Sequence, residues 1–169
     1  MAPIVAPRFS AQRLAVLVDT AYIWRAARRL YRGRIDYRKL LDGIVGERAV
    51  VRAIAFVERQ GDADVEAFVE ALDAVGFEVR VRPGPKNADG LRGAWDVGLA
   101  LTAVALAPRV DAVAIVAGSG ELADLFDHLA VHGVRGELHA FAEAVDDDLA
   151  LQADIFRPLG AGLLFDAMP

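Results

Sequence analysis

The chain has 169 residues, 55% of them hydrophobic and 25% charged, with a net charge of −5 and no cysteine. That length suits one domain with a sizeable core, and the lack of cysteine excludes disulfides, thiolate zinc sites and a cysteine nucleophile. No window holds the ~18 unbroken apolar residues of a membrane span, and the negative balance argues against indiscriminate nucleic-acid binding.

Residues 1–12 contain Pro3 and Pro7 but no apolar run, so they read as a flexible arm rather than a secretory leader, and the cytoplasm is the expected compartment. Leu14-Ala15-Val16-Leu17-Val18 ends in Asp19 and reads as a buried strand. Thr20 is placed to cap a helix over residues 21–31, which Gly33 stops. On that helix Arg25, Arg28, Arg29 and Arg32 share one face, opposite Ile23, Ala27 and Leu30. The arginine face is either solvated or a phosphate contact. Asp36 caps a short helix over 37–45.

Residues 50–57, rich in β-branched side chains, form a second strand. Asp62 opens a helix to Val75, with Val65, Phe68, Val69 and Leu72 inward and Gly76 at its close. Residues 77–81 alternate as a third strand, and the prolines and glycines of 82–90 make a loop. A helix over 95–106 ends at Pro108. Residues 112–116 are a fourth strand, Gly118-Ser119-Gly120 a turn, 121–132 a helix and 136–141 a fifth strand. Asp146-Asp147-Asp148 caps a last helix to about residue 156, and a tail follows. The expected layout is an arm over 1–12, one domain over 13–159 and a tail over 160–169. Strands alternating with helices predict an α/β, three-layer, Rossmann-like fold with a mostly parallel five-stranded sheet and helices on both faces.

Charge is unevenly placed. Residues 25–39 carry seven cations against one acid, Asp36, whereas residues 121–154 carry nine acids against one cation, Arg135.

In open parallel sheets, ligands bind outside the carboxyl ends of the strands. Asp19, Asp96 and Glu121 map to that rim. Carboxylates gathered there repel one another and invite a hard cation, Mg²⁺ or Mn²⁺. Each also has a structural reading: Asp19 as the cap of a turn, Asp96 and Glu121 as first-turn acids against the helix dipole. The Gly118-Ser119-Gly120 turn is a generic phosphate-loop signal and supports a nucleotide-binding alternative. His128, His132 and His139 show no metal spacing, and Ser119 has no histidine partner for nucleophilic catalysis.

The order of short motifs resembles the NYN branch of the PIN-like nucleases, the group that includes LabA-type proteins. The resemblance covers about residues 14–159 and rests on Leu17-Val18-Asp19; Ile35-Asp36-Tyr37 with Lys39-Leu40-Leu41; Gly76-Phe77-Glu78-Val79-Arg80; Arg92-Gly93-Ala94-Trp95-Asp96-Val97 with Leu99-Ala100-Leu101; Val116-Ala117-Gly118 before Glu121-Leu122; and Ala153-Asp154-Ile155-Phe156. It implies a PIN-like fold in which Asp19, Asp96 and Glu121 hold Mg²⁺ or Mn²⁺ and hydrolyse RNA, with Ser119 in the catalytic motif. Arg25, Arg28, Arg29 and Arg92 would contact the RNA.

The chain departs from the family pattern where Ser119 and Glu121 stand for two aspartates. Ala117 and Leu122 replace that motif's serine and phenylalanine, Ala94 and Thr102 replace acids near Asp96, and no asparagine follows Asp19 closely. The leading expectation is thus an endoribonuclease of reduced acidity that acts on or binds RNA. The alternative is a catalytically lapsed module for binding or regulation, with homodimerisation as one form.

Overall fold

Stretches that are apolar without interruption must be covered on both faces, and in this chain they become parallel strands. The structure is a computed structural model that describes residues 10–59, 65–84 and 95–165. Six strands form one sheet: β1 (Arg13–Asp19), β2 (Ala49–Arg59), β3 (Glu78–Pro83), β4 (Ala112–Val116), β5 (Arg135–Ala140) and β6 (Ile155–Pro158). Their order is β3-β2-β1-β4-β5-β6, and every neighbouring pair is parallel. The helices are α1 (Thr20–Tyr31), α2 (Tyr37–Val45), α3 (Glu66–Val75), α4 (Asp96–Leu106), α5 (Ala123–Val131) and α6 (Asp147–Gln152). Crossovers between parallel strands are right-handed as a rule, which puts helices on both faces of such a sheet. None of the described helices is long and apolar enough to cross a membrane.

The core sits on the two central strands. Leu14 to Val18 and all five residues of β4 are fully buried. Asp36 caps α2 as expected, accepting N–H bonds from Arg38 (3.0 Å) and Lys39 (3.1 Å).

Five expectations need correction or lie outside the described residues. The sheet has six strands rather than five. The last helix stops at Gln152, and Asp154 then accepts the Gly136 N–H (2.8 Å), which draws residues 155–158 onto the edge of β5. A short edge strand ending in proline carries little periodic signal, so the helix reading ran over it. The stop of α1 is Arg32, at φ 53°, rather than Gly33. Gly33 is small for another reason: a Cβ there would come within 2.6 Å of Leu164. Part of the expected tail packs, with a 3₁₀ turn over Ala161–Leu163 and an antiparallel bridge between Ile35 and Leu164. Asp62 lies outside the described residues, and α3 begins at Glu66.

Beneath these elements Arg48 and Glu137 form an ion pair whose side chains are wholly buried. The guanidinium reaches Glu137 through two bonds (2.7 and 3.1 Å) and also donates to the carbonyls of Ile44 (2.6 Å) and Val45 (3.2 Å) and to Gln12 (3.0 Å). It thereby ties the end of α2 to β5. Burial alone pushes the Glu137 carboxyl upward, but bonds from His139 and Arg48 overcome it and hold it at about 2.

Removing one partner of such a pair strands a buried charge. Arg48→Ala therefore lowers the unfolding free energy in urea by about 3–5 kcal/mol, and Arg48→Met with Glu137→Leu recovers most of that loss. Because the folded carboxyl lies below its unfolded value of roughly 4.3, the pair's stabilisation is present above that pH and is lost as pH falls toward about 2. Acid melts of the wild type and the double variant measure this, and the double variant shows the shallower loss.

Candidate active site

The strand order reverses between β1 and β4, and a crevice is expected at such a switch, above their carboxyl ends. Asp19 is the last residue of β1 and is only 4% exposed. Its Oδ1 accepts the Tyr22 N–H (3.0 Å), so Asp19 caps α1. The cap expected from Thr20 is thus corrected. Thr20 is the first helical residue, and its hydroxyl donates instead to the Phe56 carbonyl of β2 (2.8 Å).

Tyr22 closes the β4 side of the crevice. Its hydroxyl accepts the Phe141 N–H (3.1 Å), and its ring lies against Gly118, where a Cβ would approach Cε2 to 2.3 Å. No side chain fits at Gly118. On the same turn the Gly120 N–H donates to Asp146 (2.5 Å), so the amide a bound nucleotide would need is taken by the chain's own carboxylate. The Ser119 hydroxyl oxygen accepts the Glu121 N–H (3.4 Å), and Glu121 itself is exposed on the 3₁₀ turn Gly120–Leu122.

The opposite side is set by Trp95. Its ring packs on Phe56 (centroids 5.1 Å apart), its Nε1 donates to the Val57 carbonyl (3.2 Å), and Gly98 lies flat beneath it. This anchors the start of α4 over β2 and brings Asp96 toward Asp19. Glu58, near the end of β2, is the residue the sequence reading missed. Its carboxylate is paired with Arg82 (2.8 Å), and the Arg82 guanidinium stacks on Trp95 (4.3 Å). An acid directly after the apolar run 50–57 was the available signal, the same pattern that marked Asp19.

The electrostatics bind these groups together. Burial is the main cause that raises the Asp19 carboxyl above its ordinary range. The Tyr22 N–H and the charge of Arg25 oppose it, and the charges of Asp96 and Glu58 reinforce it. The charges acting on Asp19 thus come from Arg25, Asp96 and Glu58; those of Glu121 are not among them. The phenol of Tyr37 is raised by burial and then by the negative charge of Asp19. Where the family pattern has a further acid on α4, the Thr102 hydroxyl accepts from Arg80 (2.8 Å) and donates to the Gly98 carbonyl (2.7 Å).

Among the described residues, no three His, Asp or Glu side chains are grouped to hold a metal ion. The donor set does fit the way Mg²⁺ is usually held, by one or two carboxylates with waters and substrate phosphates completing the shell. Asp19 and Asp96 offer two such carboxylates, and the charge of Asp96 acts against that of Asp19.

Arg25 and Arg29 line a groove of about 490 Å³ beside Tyr22, with Glu143 and Asp146 opposite. Arg29 donates to the Glu143 carbonyl (2.7 Å), while Arg28 turns to the ring of Trp24 (5.1 Å). Arg92 and Ala94 lie outside the described residues.

A family model described as the NYN domain matches residues 13–160. The crystal structure of a protein of unknown function from Vibrio parahaemolyticus RIMD 2210633 is similar at 28% sequence identity with a TM-score of 0.84, covering 95% of this chain and 100% of that one. Among curated proteins, none matches.

Asparagine caps helices as well as aspartate does and carries no charge to bury beside Asp96 and Glu58. Asp19→Asn therefore melts at or above the wild-type temperature at pH 7, and Asp19→Ala melts below Asp19→Asn by about 1 kcal/mol of lost capping, roughly 2–4 °C. Thermal melts followed by circular dichroism decide this; an Asn variant less stable than wild type would contradict the electrostatic reading of the site.

Proposed function

The chain belongs to the NYN domain family of PIN-like nucleases, and on that premise we propose that it acts on RNA in the cytoplasm as a metal-dependent endoribonuclease of reduced acidity. The observation that carries this reading is the buried Asp19 carboxylate, held by the α1 cap among Asp96 and Glu58 and next to an arginine-lined groove.

In this reading Asp19 and Asp96 would hold Mg²⁺ or Mn²⁺. The chemistry such an ion supplies when bound is neutralisation of phosphate charge and activation of water. The chain's own residues supply the rest. The Tyr22 N–H fixes the orientation of Asp19. Trp95 fixes the position of Asp96. Arg25 and Arg29, with Arg28 and Arg92, hold the phosphodiester backbone. Glu58 takes the third acidic place, and Ser119 and Glu121 contribute from the turn after β4 to positioning the substrate.

The second reading is the lapsed module, a binding or regulatory protein that is homodimeric in one form. It is favoured by the Glu58–Arg82 pair, in which a guanidinium neutralises one of the clustered acids without any ion. Calorimetry with Mn²⁺ separates the two: RNA retained with no metal uptake selects the lapsed module.

Incubation of labelled single-stranded RNA with Mn²⁺ tests the catalytic reading. Wild type cleaves, while Asp19→Asn and Asp96→Asn slow cleavage at least about 100-fold, the effect of losing roughly 3 kcal/mol of transition-state stabilisation. Equal cleavage by all three, or none by any, removes catalysis from this site. In the same assay Arg25→Ala and Arg29→Ala each lower the slope of log affinity against log salt by about 0.7, the single-strand value for one phosphate contact.

A further inference from the structure

The C-terminal strap packs against the start of α2 and completes a second surface. Besides the bridge from Leu164 to Ile35, the Phe165 N–H donates to the Arg34 carbonyl (3.0 Å), the Asp36 N–H to the Leu163 carbonyl (2.8 Å), and Lys39 Nζ to the Leu164 carbonyl (3.3 Å). These bonds fix Phe165 in place although it is 53% exposed. Trp24 on α1 is equally exposed, and both rings line one groove of about 580 Å³ whose floor includes Tyr37 and Phe68, themselves in edge contact at 5.5 Å. Apolar residues held at a surface mark a binding site rather than a core.

The rim identifies the ligand. Arg34 stands over the Phe165 ring (5.8 Å) and Arg28 over Trp24 (5.1 Å), and Arg38 lines the groove between them and α3. The acid on this rim, Asp36, is committed to capping α2. This is the positive pole of a protein whose net charge is −5. Exposed aromatic faces inside a ring of guanidiniums complement a polyanion with flat apolar groups, which is the chemistry of single-stranded nucleic acid. An apolar peptide would match the rings but leave the arginines without anions.

We propose that this groove binds nucleobases of single-stranded RNA, one stacking on Trp24 and one on Phe165, with the adjoining phosphates on Arg28 and Arg34. Helix α1 belongs to both places: Asp19 caps its start and Trp24 on it lines the groove. A strand seated here lies along the helix that Asp19 caps. The groove supplies grip on the bases, and the acid pair supplies the chemistry. The inference rests on the RNA reading of the site and adds to it where the bases are held.

The test compares a short labelled single-stranded RNA with an abasic ribose-phosphate chain of equal length, by fluorescence anisotropy on the full chain. Trp24→Ala and Phe165→Ala each weaken RNA binding about fivefold to 150-fold, the range for losing one base–aromatic stack, and leave abasic binding unchanged. Trp24→Phe keeps most of the affinity, which shows that lost stacking and not lost folding is being read. If both alanine variants bind RNA like wild type while Arg25→Ala and Arg29→Ala weaken it, the groove proposal falls and the RNA reading stands. If wild type binds no RNA, both fall. If Trp24→Ala dissolves a dimer in sedimentation without altering RNA binding, the face is a self-interface and the proposal is overturned.

Discussion

A carboxylate at the end of β1 is buried near other carboxylates, and the proposed site depends on that arrangement. Taking an ionised group out of water is unfavourable unless it is paired. Asp19 has one N–H bond and a nearby arginine charge, while Asp96 and Glu58 act against it. The balance is unfavourable to the charge, as the direction of the Asp19 shift records. Folds tolerate such local conflict at functional sites, where a ligand resolves it. Trp95 is what enforces the conflict: packed on Phe56 and bonded to the Val57 carbonyl, it sets the start of α4, and with it Asp96, beside the end of β2.

The two faces of α1 explain why the site and the positive pole lie together. The buried face, Tyr22, Ile23, Ala26 and Ala27, presses on the sheet and closes the switch-point crevice with the Tyr22 ring. The opposite face is left to Arg25 and Arg29, which line one groove, to Trp24, which lines another, and to Arg28, which lies over the Trp24 ring. One helix is thus capped by Asp19, closes the switch-point crevice with Tyr22, and presents Arg25 and Arg29 to one groove and Trp24 to the other. The acidic segment 121–154 lends Glu143 and Asp146 to the groove of Arg25 and Arg29, whereas the acid lining the Trp24–Phe165 groove is Asp36, which caps α2.

Much of the fold was legible because parallel strands buried on both faces are uninterrupted apolar runs. The bounds of β4, residues 112–116, and of α2 with its Asp36 cap follow from residue type alone. The sixth strand was not legible, because its four residues are half-exposed and its place is set by a long-range bond from Gly136 to Asp154. Of the proposed site, Asp19 and Asp96 could be picked out as acids at element ends. Glu58 was overlooked, and its pairing with Arg82 depends on β2 and β3 lying side by side. The closure of the crevice by Tyr22 was equally hidden: it needs Gly118, Ala144 and Phe141 to converge from three segments. Local pattern shows which residues are acids at strand ends; topology decides which of them meet.

The central claim is that Asp19 and Asp96 form a carboxylate pair whose repulsion a divalent cation relieves. Anomalous diffraction from a crystal soaked in Mn²⁺ reads this directly. The account predicts a manganese peak bridging these two side chains, absent from crystals of Asp96→Asn. Manganese found only elsewhere on the protein, or bound between them equally in the variant, would contradict it.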